Sequence, residues 1–220
     1  LSKGPLEKII NDGIFENTFD QNILKIYHSI IEKDSWYSTN CCGKIIWGDA
    51  RDKIKLLDSN GLFDIIFLDP FSPWKCPELW SIEFLSKVVN KLKPEGRIIT
   101  YCTAAAIRFT LQSMGLSLKS IVPNKASGEK WSFGTVGINK GRVALAEEIS
   151  SNNIQILEDL SKMEIEHLQT KASVPYRDPD GKSSRHEILD RRKIEQENSR
   201  LESTSDWKKR WELAKKGLRQ

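Results

Sequence analysis

Apolar and polar positions change period several times along the chain. Residues 65–68 read Ile-Ile-Phe-Leu between Asp64 and Asp69, with no polar residue alternating among them. An unbroken β-branched and aromatic run of this length, stopped by Pro70, predicts a strand buried on both faces, as in a parallel sheet covered by helices. Residues 97–102, RIITYC, predict the next buried strand. Helical spacing dominates elsewhere. Leu6, Ile9 and Ile10 form a short apolar face. Ile23, Leu24, Ile26, Tyr27, Ile30 and Ile31 form a longer one, with Asp20 as its cap. Residues 44–47 predict a strand, followed by Gly48-Asp49-Ala50 and a helix over 50–57. Leu79, Ile82, Leu85, Val88, Val89 and Leu92 share one face of a helix over 78–92, ended by Lys93-Pro94-Glu95-Gly96. Thr103 is positioned to cap a helix over 104–114 that Gly115 breaks. Two last strands, 116–122 and 131–138, flank a hydrophilic loop with Lys125, Gly128 and Lys130. Strands alternating with helices in this order predict an α/β sheet.

Beyond Lys140 the pattern changes. Residues 158–169 read as helix. Residues 174–179, VPYRDP, read as extended, because two prolines forbid helix. Residues 184–217 are dense in charge and read as exposed helix, with Trp207 and Trp211 one turn apart. The organisation is therefore a globular part over 1–140 and a helical, charged extension over 141–220. The 220 residues suffice for one sizeable domain plus an appendage. A net charge of +4 is compatible with an RNA partner and equally with none. No apolar run is long enough to span a membrane. Cys41, Cys42, Cys76 and Cys102 form no Cys-x-x-Cys and do not cluster with His28, His167 or His186. They read as reduced thiols of a cytosolic or organellar protein, and no metal site is expected.

Asp69 would stand at the carboxyl end of a central strand, the edge where open α/β sheets bind ligands. A local alternative is a turn cap. In the loop that follows, Pro70 and Pro73 fix the backbone, while Phe71 and Trp74 are suited to packing or stacking. Asp69-Pro70-Phe71 resembles the acidic-Pro-Pro-aromatic motif of amino-group methyltransferases. Asp69, Phe71, Pro73, Pro77, Leu79 and Trp80 together resemble the signature Asp-x-Phe-x-Pro-x-x-x-Pro-x-(Leu or Met)-Trp. That signature marks the MnmC-like tRNA 5-methylaminomethyl-2-thiouridine methyltransferase family. Pro70 stands where the family often has Gly or Ala, and Cys76 where it often has Asn. GDA at 48–50 resembles the adenine end of S-adenosylmethionine sites and LKPEG at 92–96 resembles Rossmann-type methyltransferases, while YCTAAAIR at 101–108 and EHLQTKASVPYRDP at 166–179 are similar to the MnmC-like family itself.

The resemblance implies a Rossmann-like class I sheet, S-adenosylmethionine as cofactor, and the aminomethyl group of a modified wobble uridine in the anticodon region of tRNA as acceptor. It implies that Asp69 is catalytic, holding the amine near the cofactor, and that Pro70 and Phe71 shape the base pocket. Asp49 and Ala50 would meet the adenine, although Asp49 equally fits a helix cap. Lys125 and Lys130 would meet RNA phosphate or stand as solvated loop lysines. The tail, basic and interleaved with Trp, would bind RNA or fold onto the domain. No Gly-x-Gly follows any strand. The expectation is therefore a sheet lacking its first βαβ unit, with 65–68 left as an apolar edge and cofactor held weakly. A missing N-terminal segment would complete it, and an oxidoreductase partner would supply the preceding modification step. Two other readings are a catalytically silent RNA-binding fragment and a small-molecule amine N-methyltransferase.

Overall fold

The computed structural model describes residues 3–13, 19–57, 60–122, 133–140 and 156–217. Lys125 and Lys130 lie outside the described residues, and the expected boundary at 140/141 adjoins others that do. The chain divides into two compact units, within residues 1–57 and 58–220.

In the first unit, α1 (Gly4–Asn11) has Pro5 in its first turn, where the missing N–H costs nothing. Helix α2 (Gln21–Lys33) starts as expected. The Asp20 carboxylate accepts from the N–H groups of Asn22 and Ile23 at 2.7 and 3.1 Å. Strands β1 (Ser35–Tyr37) and β2 (Cys42–Lys44) form an antiparallel hairpin. The strand expected over 44–47 is thus corrected: only Lys44 is in a strand, and not in the main sheet. Residues 45–47 are held instead by Asp34 at the left-handed end of α2. Its carbonyl accepts from Ile45 N–H at 2.7 Å, and its carboxylate accepts from the Trp47 indole at 2.9 Å. Helix α3 (Ala50–Lys53) continues as a tighter turn over Ile54–Leu56, matching the helix expected at 50–57.

The second unit is built on a five-stranded mixed sheet of β3 (Phe63–Phe67), β4 (Leu92–Thr100), β5 (Ser117–Ile121), β6 (Gly134–Ile138) and β7 (Leu157–Asp159). The spatial order is β3-β4-β6-β5-β7, with β3 parallel to β4 and the other pairings antiparallel. Strand β3 lies at the edge. Its expected burial on both faces is therefore corrected: Ile65 and Phe67 are 51% and 76% exposed, and only Leu68 beyond it is buried. Among the described residues no strand pairs with the other side of β3.

The helix expected over 78–92 is shorter. A turn over Pro77–Trp80 leads to α4 (Ile82–Val89), and Leu92 already belongs to β4. The break falls at Ser81, whose backbone is extended because it bridges to Tyr176. Its hydroxyl then caps α4, accepting from Phe84 N–H at 3.3 Å. Helix α5 (Ala105–Ser113) is capped at Ala104 without a side-chain hydrogen bond, so Thr103 does not act as the cap. Gly115, at φ +87, ends the helix in the left-handed region that glycine adopts without strain.

The helix expected over 158–169 is also corrected. Residues 157–159 form β7, paired to β5, and only α6 (Lys162–His167) is helical, opened by a Ser161–Glu164 capping box. Residues 174–178 form a non-helical strap, as the prolines require, while Pro179 already belongs to a turn closed by Gly181 N–H on the Asp178 carbonyl at 3.0 Å. Ile82 N–H donates to the Tyr176 carbonyl at 2.9 Å, and Asp178 N–H to Glu83 Oε2 at 2.7 Å. Helix α7 (Arg185–Asn198) locks this strap from outside. Arg192 donates to the carbonyls of Val174 and Ala172 and covers the Tyr176 ring at 4.4 Å. Helix α8 (Thr204–Gly217) docks through buried Trp207, which stacks on His167 at 4.4 Å.

That stack has a pH consequence. Burial, then the charges of Lys208 and Arg108, hold the His167 imidazole below its ordinary value. Nε2 is buried without a hydrogen-bond partner among the described residues. A depressed histidine favours the fold above its unfolded pKa, and the benefit is lost as pH falls through the folded value. Wild-type protein should therefore lose melting temperature between about pH 7 and about pH 5, a window set by the unfolded imidazole. His167→Phe keeps the stacked ring but cannot charge, and should flatten that slope. Equal slopes for the two proteins would remove His167 as the cause.

Candidate active site

Asp69 follows β3 directly, and the strand's last bond to the sheet, Leu68 N–H to the Ile99 carbonyl at 2.9 Å, sets its position. The side chain is exposed. Among the described residues no hydrogen bond engages its carboxylate, so the turn-cap alternative is not what holds it there. The next two residues are pinned through their carbonyls. The Tyr101 hydroxyl donates to Pro70 at 2.9 Å, and the Trp80 indole donates to Phe71 at 2.8 Å. Burial, followed by the Cys102, Asp69 and Cys76 groups, pushes the Tyr101 phenol up, which keeps it protonated and donating. Trp80 is fully buried and meets Tyr101 edge to face at 6.3 Å. Its place in the sequence signature thus has a structural reason: it carries the loop. Phe71, whose backbone is fixed, keeps its ring 73% exposed.

The loop continues as a tight turn, with the Ser72 carbonyl accepting from the N–H groups of Lys75 and Cys76 at 2.8 and 2.9 Å. Cys76 Sγ donates to Glu78 Oε1 at 3.2 Å. Glu78 Oε2 is buried with no partner among the described residues. Asp69, Pro70 and Phe71 are therefore presented together, on one rigid loop at a strand's carboxyl end.

Asp49 and Ala50 lie in the first unit, at the start of α3. Asp49 Oδ1 accepts from Arg51 N–H at 2.9 Å, and Oδ2 from Arg51 Nη2 at 2.7 Å. The Arg51 hydrogen bond, chief among the causes, holds this carboxyl below the usual carboxylate range. Gly48 precedes it at φ +126, a conformation that bends the chain into the helix start. The two acids differ in their hydrogen bonding. Asp49 is engaged by its neighbour through both oxygens, and Asp69 is open among the described residues.

Arg108, noted only for its resemblance, is 2% exposed and is not a surface group. It donates to Thr135 Oγ1 at 2.8 Å, Ser120 Oγ and the Gly134 carbonyl at 3.2 Å each, and Glu164 Oε1 at 2.7 Å. It joins α5, β5, β6 and α6. Burial raises the Glu164 carboxyl, but the bonds from Arg108 and Ser161 outweigh it and lower it to about 2. Trp74 and Arg185, which face each other at the loop, were not singled out as a pair. Trp74 was visible as an aromatic between prolines and charge, but Arg185 lies 111 residues away.

Among the described residues no helix is long and apolar enough to cross a membrane. The fold is similar to that of MnmC2 from Aquifex aeolicus, with a TM-score of 0.63 at 23% identity, covering 82% of this chain and 54% of that one. The chain is 28% identical over 120 residues to the tRNA 5-methylaminomethyl-2-thiouridine biosynthesis bifunctional protein MnmC of Campylobacter hominis. It is 31% identical over 87 residues to the protein so named in Pseudomonas fluorescens. These matches take in 52% and 40% of this chain but only 18% and 12% of those proteins, so the chain spans a small part of the curated relatives' length. The model of a family described as S-adenosyl-L-methionine-dependent methyltransferase matches residues 16–132, more than half of the sequence. With the strand-end loop of Asp69 inside that span, this chain belongs to the family of S-adenosyl-L-methionine-dependent methyltransferases.

Proposed function

We propose that the chain transfers a methyl group from S-adenosylmethionine to the exocyclic aminomethyl nitrogen of a modified wobble uridine in the anticodon region of tRNA. The observation that carries this reading is the open Asp69 carboxylate on its pinned loop. The cofactor, when bound, supplies a methyl group on a positively charged sulfur, and an unpaired carboxylate suits that charge. Asp69 accepts a hydrogen bond from the amine, orients its lone pair and takes up the proton released. Pro70 limits the loop's freedom, and the exposed Phe71 ring offers a face to the uracil. The wobble base leaves its stack to reach them, as in other base-modifying enzymes.

Asp49 and Ala50 are assigned to the adenine. Because Arg51 takes up the Asp49 carboxylate, a bond from the adenine amino group needs that pair to open or share its remaining lone pairs. Lys125 and Lys130 are assigned to phosphate. The relatives' description as bifunctional is consistent with an oxidoreductase partner or segment supplying the preceding modification step. The reaction belongs in the cytoplasm, where the tRNA is.

The deciding assay offers labelled S-adenosylmethionine with tRNA lacking the final methyl group, and separately with free alkylamines. Label recovered in the wobble nucleoside is the expected result. Binding of tRNA should also fall steeply with salt, as phosphate contacts demand. Label in free amines alone would replace the reading with a small-molecule enzyme. RNA binding without any transfer would replace it with a silent RNA-binding chain.

A further inference from the structure

We infer that Trp74 and Arg185 form a clamp that stacks a single-stranded nucleobase flanking the methylated nucleotide. The inference rests on the tRNA reading above and adds to it a second base site, with a residue from the C-terminal segment.

Single exposed apolar residues are ordinary on protein surfaces and need no explanation. Trp74 differs because it is both open and immobilised. It is 65% exposed. Pro73 precedes it, and it lies within the turn closed on the Ser72 carbonyl by the N–H groups of Lys75 and Cys76. Arg185 Nε donates to the Trp74 carbonyl at 2.7 Å, and the guanidinium carbon stands 5.3 Å from the ring centroid. Two groups far apart in sequence thus meet at one ring, with the cation over one face of the indole and the other face left for a ligand.

Arg185 is as firmly placed. It is the first residue of α7, behind a capping box in which Ser184 N–H and hydroxyl both reach Glu187 Oε2 at 2.7 Å. The turn before it is organised by Asp178, a carboxylate only 1% exposed. Asp178 Oδ1 accepts from the N–H groups of Lys182 and Ser183 at 3.1 and 2.9 Å. Its own N–H is held by Glu83 at 2.7 Å. Among the described residues no carboxylate pairs with Arg185, so its charge is uncompensated. Lys75 and Lys182 beside it are also exposed.

A fixed indole with a guanidinium over it that no described carboxylate neutralises suits a nucleobase and its phosphate. The base stacks on the indole, and the guanidinium serves the backbone anion and the π face. Phe71 lies three residues before Trp74 on the same loop. The loop therefore carries two separate exposed rings, one beside Asp69 and one beside Arg185. A flipped base fits the first, and its neighbour in the strand fits the second.

The test uses the purified protein, whole tRNA and an anticodon stem-loop with 2-aminopurine on either side of the wobble position. Trp74→Ala should weaken stem-loop binding by about 5- to 150-fold, the span of one lost base stack, and abolish quenching of one aminopurine. Trp74→Phe should keep most of both. The loss should appear in KM for tRNA, and the melting temperature should not move, because the ring is exposed. Arg185→Ala should reduce the salt slope by about one phosphate contact. If Trp74→Ala binds and quenches like wild type while wild type binds tRNA, the clamp is wrong and the tRNA reading stands. If wild type binds neither tRNA nor stem-loop at low salt, both readings fall.

Discussion

Asp69→Ala should lower kcat for methyl transfer by about 10²- to 10⁴-fold, the usual range for a positioned acid–base group. Affinity for S-adenosylmethionine should stay within a few-fold, and folding stability should shift by no more than about 0.5 kcal/mol, as for a surface substitution. The reason is the position of the carboxylate. It is exposed and makes no hydrogen bond among the described residues, so its removal breaks no structural contact. The loop around it is held by other groups, namely Tyr101 on the Pro70 carbonyl and Trp80 on the Phe71 carbonyl. Asp69→Asn separates the two tasks proposed for this residue. The amide oxygen can still accept a hydrogen bond from the amine but cannot take its proton. An Asn variant close to wild type would mean that orientation is the whole contribution. An Asn variant as slow as Ala would mean that proton acceptance dominates. Near-normal turnover by the Ala variant, under conditions where chemistry limits the rate, would end the assignment of Asp69.

The largest effect on stability is expected at Arg108. Arg108→Met should destabilise the second unit by about 3–5 kcal/mol, the usual cost of breaking a buried ion pair from one side. The guanidinium is nearly inaccessible and satisfies four acceptors on three elements. Its removal leaves Glu164 oriented toward an apolar side chain and leaves Thr135, Ser120 and the Gly134 carbonyl to find other partners. Arg108→Lys should recover little, because one ammonium cannot reproduce the planar fork. The double change Arg108→Met with Glu164→Met should recover much of the loss, since an apolar pair of similar volume carries no uncompensated charge. Denaturant titration of the variants would check this, and an Arg108→Met midpoint near wild type would refute it. The same pair sets an acid limit. With the Glu164 carboxyl lowered to about 2 from its ordinary 4.5, its contribution is present above the unfolded value and is lost as pH falls through that window.

The extent to which sequence disclosed the site differs from residue to residue. The Asp69 loop was legible because its information is local: an apolar run, a proline, then aromatics at fixed spacing. Asp20 was legible as a cap for the same reason. Asp49 carried two readings, helix cap and adenine contact, and the local pattern supports both equally. The structure shows its carboxylate on Arg51, two residues away. The role of Trp80 in holding the Phe71 carbonyl needed the turn over Pro77–Trp80, where a continuous helix had been expected. Ser81 decided that geometry by pairing with Tyr176 from the far end of the chain.

By itself, then, the order of apolar, polar and special residues determined the α/β class, the strand ending at Asp69, helix α2 with its cap, and the existence of strands β5 and β6, but not their pairing. These depend on periodicity and on the intrinsic limits of Pro and Gly, which act over a few residues. Tertiary structure alone decided the rest. Strand β7 reads Leu-Glu-Asp, with no strand signature, yet it pairs with β5 through backbone groups that every residue except proline possesses. Strand β3 is rich in apolar residues yet lies at an edge, because burial depends on which neighbour is present and not on the strand's own composition. Arg108 meets Glu164 56 positions away, and Arg185 meets Trp74 across 111. Such pairings are set by how helices and strands stack in three dimensions, a relation that no local period encodes.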